Sequence, residues 1–271
     1  MTTRSTKEVY FPGVLPVTDL PADIDLALPK NSKLPLNQQH FLLYIPWKEK
    51  YLALVPDEFQ NFFKHIISFL RVRTTDVHTA ISSGYMEELI SKIGKPLNKR
   101  VVALALFLHD SGWSKLTQIE IAQSLGIKGL KLNGVALKPK AKHAIESEKI
   151  AREVLSSYQF EPPMSQNEVD LICKAILYHD KPEAVVGADK PLPLEVQVLV
   201  DLDHLWSFTH ENFWQDTVRK GIAPSEYLKN LAVDLDSYFV TSEGKQMAGK
   251  LLTQRADEVK TWSKKGNLKQ F

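Results

Sequence analysis

After residue 56 the apolar positions of this chain recur every three to four residues, the period of amphipathic helices. DEFQNFFKHIISFLRV sets Phe59, Phe62, Phe63, Ile66, Ile67 and Leu70 on one helical face, with Asp57 and Glu58 at the favourable end of the helix dipole. A second helix is predicted over about 75–93, stopped by Gly94 and Pro96, and a third over 97–109. The third contains VVALALFL at 101–108, apolar without interruption, so it is predicted to be buried on every side. Thr117 with Glu120, and Ser165 with Glu168, have capping-box spacing and open two further helices. AKHAIESEKIAREVLSSY, LEVQVLVDLDHLW, a polar-aromatic stretch near 210–220, PSEYLKNLAVDLDSYF and a last segment from about 242 to 262 complete the pattern. The body is therefore predicted to be all-α, with eight or nine helices. GIKGLKLNGVALKPK at 126–140 reads as a lysine-rich mobile loop, and 181–193 as a Pro/Gly connector.

The first 56 residues break the helical period. Seven of the fifteen prolines fall there, which forbids long helices. QQHFLLYIPWKEKYLALVP reads as two short extended pieces around Trp47–Lys50. Residues 1–56 are predicted to form a partly extended arm, with too few apolar residues for a core of its own. The arm would pack over the helical body at 57–271 or contribute to a homodimer contact.

Composition narrows the function classes. With 34 basic against 32 acidic residues the net charge is +2, which argues against general nucleic-acid binding. The longest apolar run has eight residues, far short of a membrane span. Cys173 is the one cysteine, so neither an intramolecular disulfide nor a cysteine-based zinc site can form. The N-terminus has no apolar signal region, and a reducing, cytoplasmic compartment is the expectation.

The histidines change the picture. His78, His109, His143 and His179 occupy four successive strong helices, spaced 31, 34 and 36 residues apart. His109 and His179 are each followed at once by an aspartate, and Asp201 and Asp203 lie inside the apolar run VLVDLDHLW. Each residue alone has an ordinary structural reading as a cap or a solvated position. Together they point to a divalent cation, because an unpaired carboxylate in an apolar run is costly and a cation removes that cost. Aspartate oxygen and neutral imidazole are both good ligands for such an ion. Residues i and i+2 of a helix point about 200° apart, so only one of Asp201 and Asp203 can face a shared pocket.

The order His78, His109-Asp110, His143, His179 and a late aspartate on an all-α chain resembles the HD-domain superfamily of metal-dependent phosphohydrolases. The resemblance spans roughly residues 65–265 and extends to the Thr241-x-x-Gly244-Lys245 link before the last helix. It implies a primary metal site of His78, His109, Asp110 and the late aspartate, which by the spacing Asp-x-Leu is Asp203. It implies that His143 and His179 hold a second metal or, with one ion bound, serve substrate binding and proton transfer. Asp110, His143 and His179 are then the candidate catalytic residues, with Asp180 beside them for proton transfer. Arg73 and Lys115 lie near positions that contact phosphate in such enzymes. The implied cofactor is one or two divalent ions among manganese, magnesium, nickel, cobalt, zinc and iron. The implied substrate is a small phosphorylated molecule, foremost a nucleotide. Leu202 and Trp206 depart from the related Asp-Ala-Asp-x-Leu-Asp pattern and make the site bulkier and less polar. Two competing readings share the frame: a di-iron oxygenase acting on a small organic substrate, and a helical regulatory module without catalysis.

Overall fold

The structure, a computed structural model, describes residues 19–124, 139–187 and 190–264. The predicted loop at 126–140 thus lies almost wholly outside the described residues. The described chain is all-α: twelve α-helices, several 3-10 turns and, in place of any strand, one isolated antiparallel bridge. The helices are α1 (Gln60–Leu70), α2 (Thr75–Gly84), α3 (Met86–Ile93), α4 (Lys99–Leu108), α5 (Gln118–Gln123) and α6 (Pro139–Ser157). They continue as α7 (Gln166–Tyr178), α8 (Pro182–Val186), α9 (Leu194–Leu205), α10 (His210–Lys220), α11 (Pro224–Asp234) and α12 (Ser242–Lys264).

The count exceeds the expected eight or nine, and two of the additional helices have local reasons. The helix predicted over 75–93 breaks at Gly84–Tyr85, where Tyr85 N–H donates to Ser82 O rather than continuing the α-helical ladder. The Ser83 hydroxyl bonds back to Ala80 O as well and ends the run. In the predicted connector, Pro182 opens the short helix α8, a position where a missing N–H costs nothing.

The uninterrupted run behaves as its composition demands. Every residue from Val101 to Leu108 is fully buried, and α4 packs against α7, α9 and α2. Another strongly apolar helix, α9, lies beside it with Val196 and Val198–Leu202 buried. α6 covers α7, and α12 closes over α9 and α11. Fully burying each large aliphatic residue contributes about 1.5–3 kcal/mol, so the α4–α7–α9 layer is the chief apolar stabiliser of the fold.

Asn98 caps α4, and the capping box at Ser165 starts α7. Glu168 joins the two starts: it accepts from Ser165 N–H (2.9 Å), from Asn98 Nδ2 (3.1 Å) and from Arg100 Nη2 through both oxygens (2.8 Å each). Burial alone would raise this carboxyl, but these donors outweigh it and hold it at about 2, against an ordinary value near 4.5. A depressed folded pKa stabilises above the unfolded value and is lost as pH falls towards the folded one. Glu168→Gln is therefore expected to cost about 3 kcal/mol at pH 7 and almost nothing near pH 2. Urea unfolding of both proteins at several pH values reads this difference directly.

The arm differs from its expected form. Its two apolar pieces are largely 3-10 turns, Leu36–Leu42 and Glu49–Leu54, instead of strands. Pro35 starts the first of them, and its fixed φ favours such a tight turn. Extended pairing is reduced to the bridge Ala27–Tyr44 (N···O 2.8 and 3.0 Å). Leu26, Leu43, Ile45, Tyr51 and Val55 are buried in the main core, while Leu34 and Leu42 pack with Trp113, Leu116 and Ile121. The described part of the arm thus lies against the body as far as the turn that follows α4.

Candidate metal centre

Beyond Leu108 the chain has to leave the buried helix without stranding its last carbonyls. Two side chains bond back to them: His109 Nδ1–H donates to Leu106 O (2.6 Å) and Ser111 Oγ–H to Leu108 O (2.7 Å). His179, after α7, repeats the device with Ile176 O (2.5 Å). A histidine whose Nδ1 carries the proton presents a bare Nε2 lone pair, the form a metal ligand needs. His179 lines a cavity of about 630 Å³, a size that suits a small-molecule ligand, and His109 Nε2 lies behind its wall against Asp203, which lines it too.

The residues expected to share an ion come together there. His78 Nδ1 lies 3.3 Å from Asp110 Oδ2, and its Nε2 lies 3.2 Å from Asp203 Oδ1. His109 Nε2 is 3.6 Å from Asp110 Oδ2 and 3.3 Å from Asp203 Oδ1. On the opposite side of Asp110, its Oδ1 faces His143 Nε2 (3.2 Å) and His179 Nε2 (3.7 Å). Asp110 therefore divides its two oxygens between two pairs of histidines. Asp180 Oδ2 adds to the second pair at 3.7 Å from His143, and its other oxygen is held by Lys140 (3.2 Å).

These residues fit a divalent cation. His78 Nε2 and His109 Nε2 are buried, make no hydrogen bond among the described residues, and converge on the same carboxylate oxygen. Neighbouring ligands around an ion with bonds of about 2.0–2.1 Å stand roughly 3.0–3.3 Å apart. The primary set approaches that spacing at 3.2–3.6 Å, His109 reaching both aspartates through Nε2 and His78 reaching Asp110 through Nδ1 and Asp203 through Nε2. The second set is less prepared. His143 Nδ1 is buried without a hydrogen-bond partner, and His143 Nε2 lies 3.0 Å from His179 Nε2, in a single hydrogen bond between the rings.

The protonation pattern agrees with a site built for positive charge. Burial alone would raise Asp110 and Asp203, yet the surrounding histidines hold both carboxyls well below the ordinary range. Burial would lower His109, but Asp110 and Asp203 overcome it and lift the imidazole to about 9. A proton on His109 thus balances the same carboxylates that a metal ion would balance. Burial keeps His143 below its ordinary value.

Glycine and tryptophan complete the centre. The 3-10 turn Ser111–Lys115 carries Gly112, whose N–H donates to Ser147 Oγ on α6 (2.8 Å). A Cβ at position 112 would stand 2.1 Å from His143 O, so only glycine lets α6 seat close enough to deliver His143 to Asp110. Trp113 stacks on His143 (4.2 Å, 12°) and donates Nε1–H to Asp110 Oδ1 (2.9 Å). Trp206 stacks on His78 (5.1 Å, 20°). Trp206, one of the two residues that depart from the resembling pattern, is thus one aromatic wall of the centre, and Trp113 is the other.

The two aspartates of α9 have separate tasks. Asp203 faces the cavity, whereas Asp201 is fully buried and accepts from Val240 N–H (2.7 Å), Thr241 N–H (3.0 Å) and the Thr241 hydroxyl. It thereby fastens the start of α12 to α9. Gly244 is required at this joint, since a Cβ there would stand 2.3 Å from Asp201 Oδ2. Gly244→Ala is expected to lower stability by about 2–3 kcal/mol, whereas Gly249→Ala, in open space on the same helix, should be neutral or slightly stabilising. Thermal melts of the pair separate the clash from any general effect of helix composition.

Of the two proposed phosphate contacts, Arg73 lines the cavity and lies with its guanidinium 4.2 Å over the Trp113 ring. Lys115 does not line it: the 3-10 turn ends at that residue and turns its side chain to solvent, a correction to the expectation. Three features escaped the sequence reading. Trp113 and Trp206 gave no signal of stacking. His204 is braced through Nδ1 on Val200 O (2.8 Å) and stands with Asp180 and Asp203 at the cavity wall. Asn212, Asp216 and Arg219 of α10 also face the cavity; their i, i+4, i+7 spacing marks one face but does not say what it faces.

Searches against protein-family models, curated proteins and solved structures give no match for this chain. Among the described residues no helix is long and apolar enough to cross a membrane.

Proposed function

We propose that this chain is a metal-dependent phosphohydrolase of the HD type, acting on a nucleotide or another small phosphoester. What carries the reading is Asp110, with one oxygen turned to His78 and His109 and the other to His143 and His179. That division suits two adjacent cations sharing a carboxylate. His78, His109, Asp110 and Asp203 would hold the first ion, and Asp110, His143, His179 and Asp180 a second. Bound there, such ions supply an activated water near neutral pH and offset charge on the phosphoryl oxygens.

The chain's own residues do the rest. The carbonyls of Leu106 and Ile176 fix the ring orientation of His109 and His179. Trp113 holds Asp110 Oδ1 in place and, with Trp206, walls off the imidazoles from bulk water. Arg73 places a fixed positive charge beside Asp110, where an incoming phosphoryl group would sit. Its backbone is left-handed (φ 63°), as is that of Thr74 (φ 72°), a conformation costing on the order of 1–2 kcal/mol per residue outside glycine. The Thr74 hydroxyl accepts from Ile45 N–H (3.0 Å) and Gln215 Nε2 (2.7 Å), so the arm and α10 together hold the strained turn that aims Arg73.

The test is elemental analysis of the purified protein, followed by a screen of the metal-loaded form. The screen covers nucleoside mono-, di- and triphosphates, cyclic dinucleotides and a generic phosphodiester. Stoichiometric divalent metal with phosphate release is the expected result. Protein that holds no metal and hydrolyses none of these overturns the reading, and paired iron with oxygen consumption redirects it to the oxygenase.

A further inference from the structure

The cavity has a second wall, away from the imidazoles, and it is made by one face of α10. Asn212, Asp216, Arg219 and Lys220 lie on it. Arg219 is only 4% exposed, unusually deep for a guanidinium that faces a cavity. Asp216 stands against both cations of this wall, 2.7 Å from Lys220 Nζ and 3.3 Å from Arg219 Nε, and accepts from Tyr227 OH (2.9 Å). One carboxylate therefore answers two cations. Arg219 Nε, although buried, makes no hydrogen bond among the described residues.

Arg73 approaches from the other side. Among the described residues it has no carboxylate within ion-pair distance, and its guanidinium lies 4.2 Å over the face of Trp113. Burial and then the neighbouring charge of Arg219 pull its pKa down to about 10, which places the two guanidiniums in each other's field. Gln215 of α10 bonds both Thr74 Oγ1 (2.7 Å) and Leu43 O (2.9 Å), so α10 and the strained turn are held as one unit. On this side of the cavity Arg73, Arg219 and Lys220 gather around one carboxylate in ion-pair contact, Asp216, with Asp110 and Asp180 farther off, and like charges so gathered favour the arrival of an anion. Arginine is the residue suited to gripping a planar or tetrahedral oxyanion through several N–H donors.

We infer that Arg219 and Lys220, with Arg73 at the edge, form an oxyanion subsite separate from the His/Asp centre. Its ligand is a second phosphate or carboxylate of the substrate, carried in addition to the reacting phosphoryl group. Asp216 sets the strength of this subsite by competing with the anion for the same two cations. The inference rests on the proposed hydrolase reading for the word substrate, but not for the binding itself. It narrows the substrate class to molecules with two anionic groups, such as nucleoside di- and triphosphates or bisphosphorylated metabolites, over simple monoesters.

The test is calorimetric titration of the full-length, metal-stripped protein with inorganic phosphate, with acetate in a parallel arm. Stripping the metal removes binding at the His/Asp centre. Wild type is expected to bind phosphate, Arg219→Gln to bind it at least tenfold more weakly, and Asp216→Asn several-fold more tightly. The asparagine keeps an acceptor for Tyr227, and a purely structural role for Asp216 would not raise affinity. Tighter acetate than phosphate binding assigns the subsite to a carboxylate. The inference is overturned if wild type binds neither anion, or if both variants bind as wild type does. Should Arg219→Gln fail to fold, unchanged or weaker binding by Asp216→Asn overturns it alone. Metal uptake by wild type is measured separately: metal without phosphate binding ends the subsite and spares the hydrolase, while phosphate binding without metal does the reverse.

Discussion

Asp110→Asn is expected to remove bound metal from the protein and to reduce phosphate release by on the order of a thousandfold or more. The asparagine matches the carboxylate in shape but keeps one oxygen and no charge. Both oxygens of Asp110 are in use, Oδ2 towards His78 and His109 and Oδ1 towards His143, His179 and the Trp113 indole. Among the described residues no other carboxylate lies within ion-pair distance of both pairs of histidines: Asp203 meets only the first and Asp180 only the second. The raised His109 depends on the same charge together with that of Asp203, so the variant also weakens the hold on the proton that balances the centre when metal is absent. Elemental analysis together with the hydrolysis assay gives the answer. Full metal content in the variant would show that Asp110 is a bystander. Trp113→Phe serves as the graded comparison: it keeps the stack on His143 and removes only the Nε1–H bond, and a loss of about 10–100-fold fits a residue that orients a ligand without being one.

Gly112→Ala is expected to be the most damaging single methyl group in the molecule. The new Cβ would meet His143 O at 2.1 Å and Ser147 N at 2.5 Å. Both are backbone atoms of α6, so no rotamer change relieves the overlap, and the helix must move outward or the turn must open. Overpacking of this kind costs about 3 kcal/mol or more, which is a fall of about 5 °C or more in Tm for a chain of this size. Because α6 carries His143, the second ligand set should suffer more than the first. A drop from two bound ions to one, together with the lower Tm, is the signature to look for. A variant that melts and binds metal like wild type would mean that α6 does not sit where the structure puts it.

The sequence reading and the structure agree where one physical cause dominates. Eight apolar residues in a row have no solution except full burial, and α4 is buried throughout. The capping boxes at Thr117 and Ser165 formed because their bonds are local. The clustering of His78, His109, Asp110, His143, His179 and Asp203 was legible because six such residues on apolar helices have few other ways to be buried without strain. What stayed hidden depends on contacts across long separations. Gln215 with Thr74, the arm behind Trp113, and α10 facing the cavity are all set by packing between distant segments, for which no local period exists. The extended pieces expected in the arm failed for a related reason. Proline excludes long helices but leaves a tight 3-10 turn available, and burial of Leu42 and Tyr51 against the body chose it.

The N-terminal arm has an implication for how this protein tolerates change. Leu34 and Leu42 support the back of Trp113, and the Ile45 amide and Leu43 carbonyl belong to the network that keeps Thr74 left-handed. A cut or graft in this stretch would reach the His/Asp cavity from behind without altering any residue inside it. The shape of that cavity could therefore drift through substitutions in a segment that alignment of the histidines alone would dismiss as decoration.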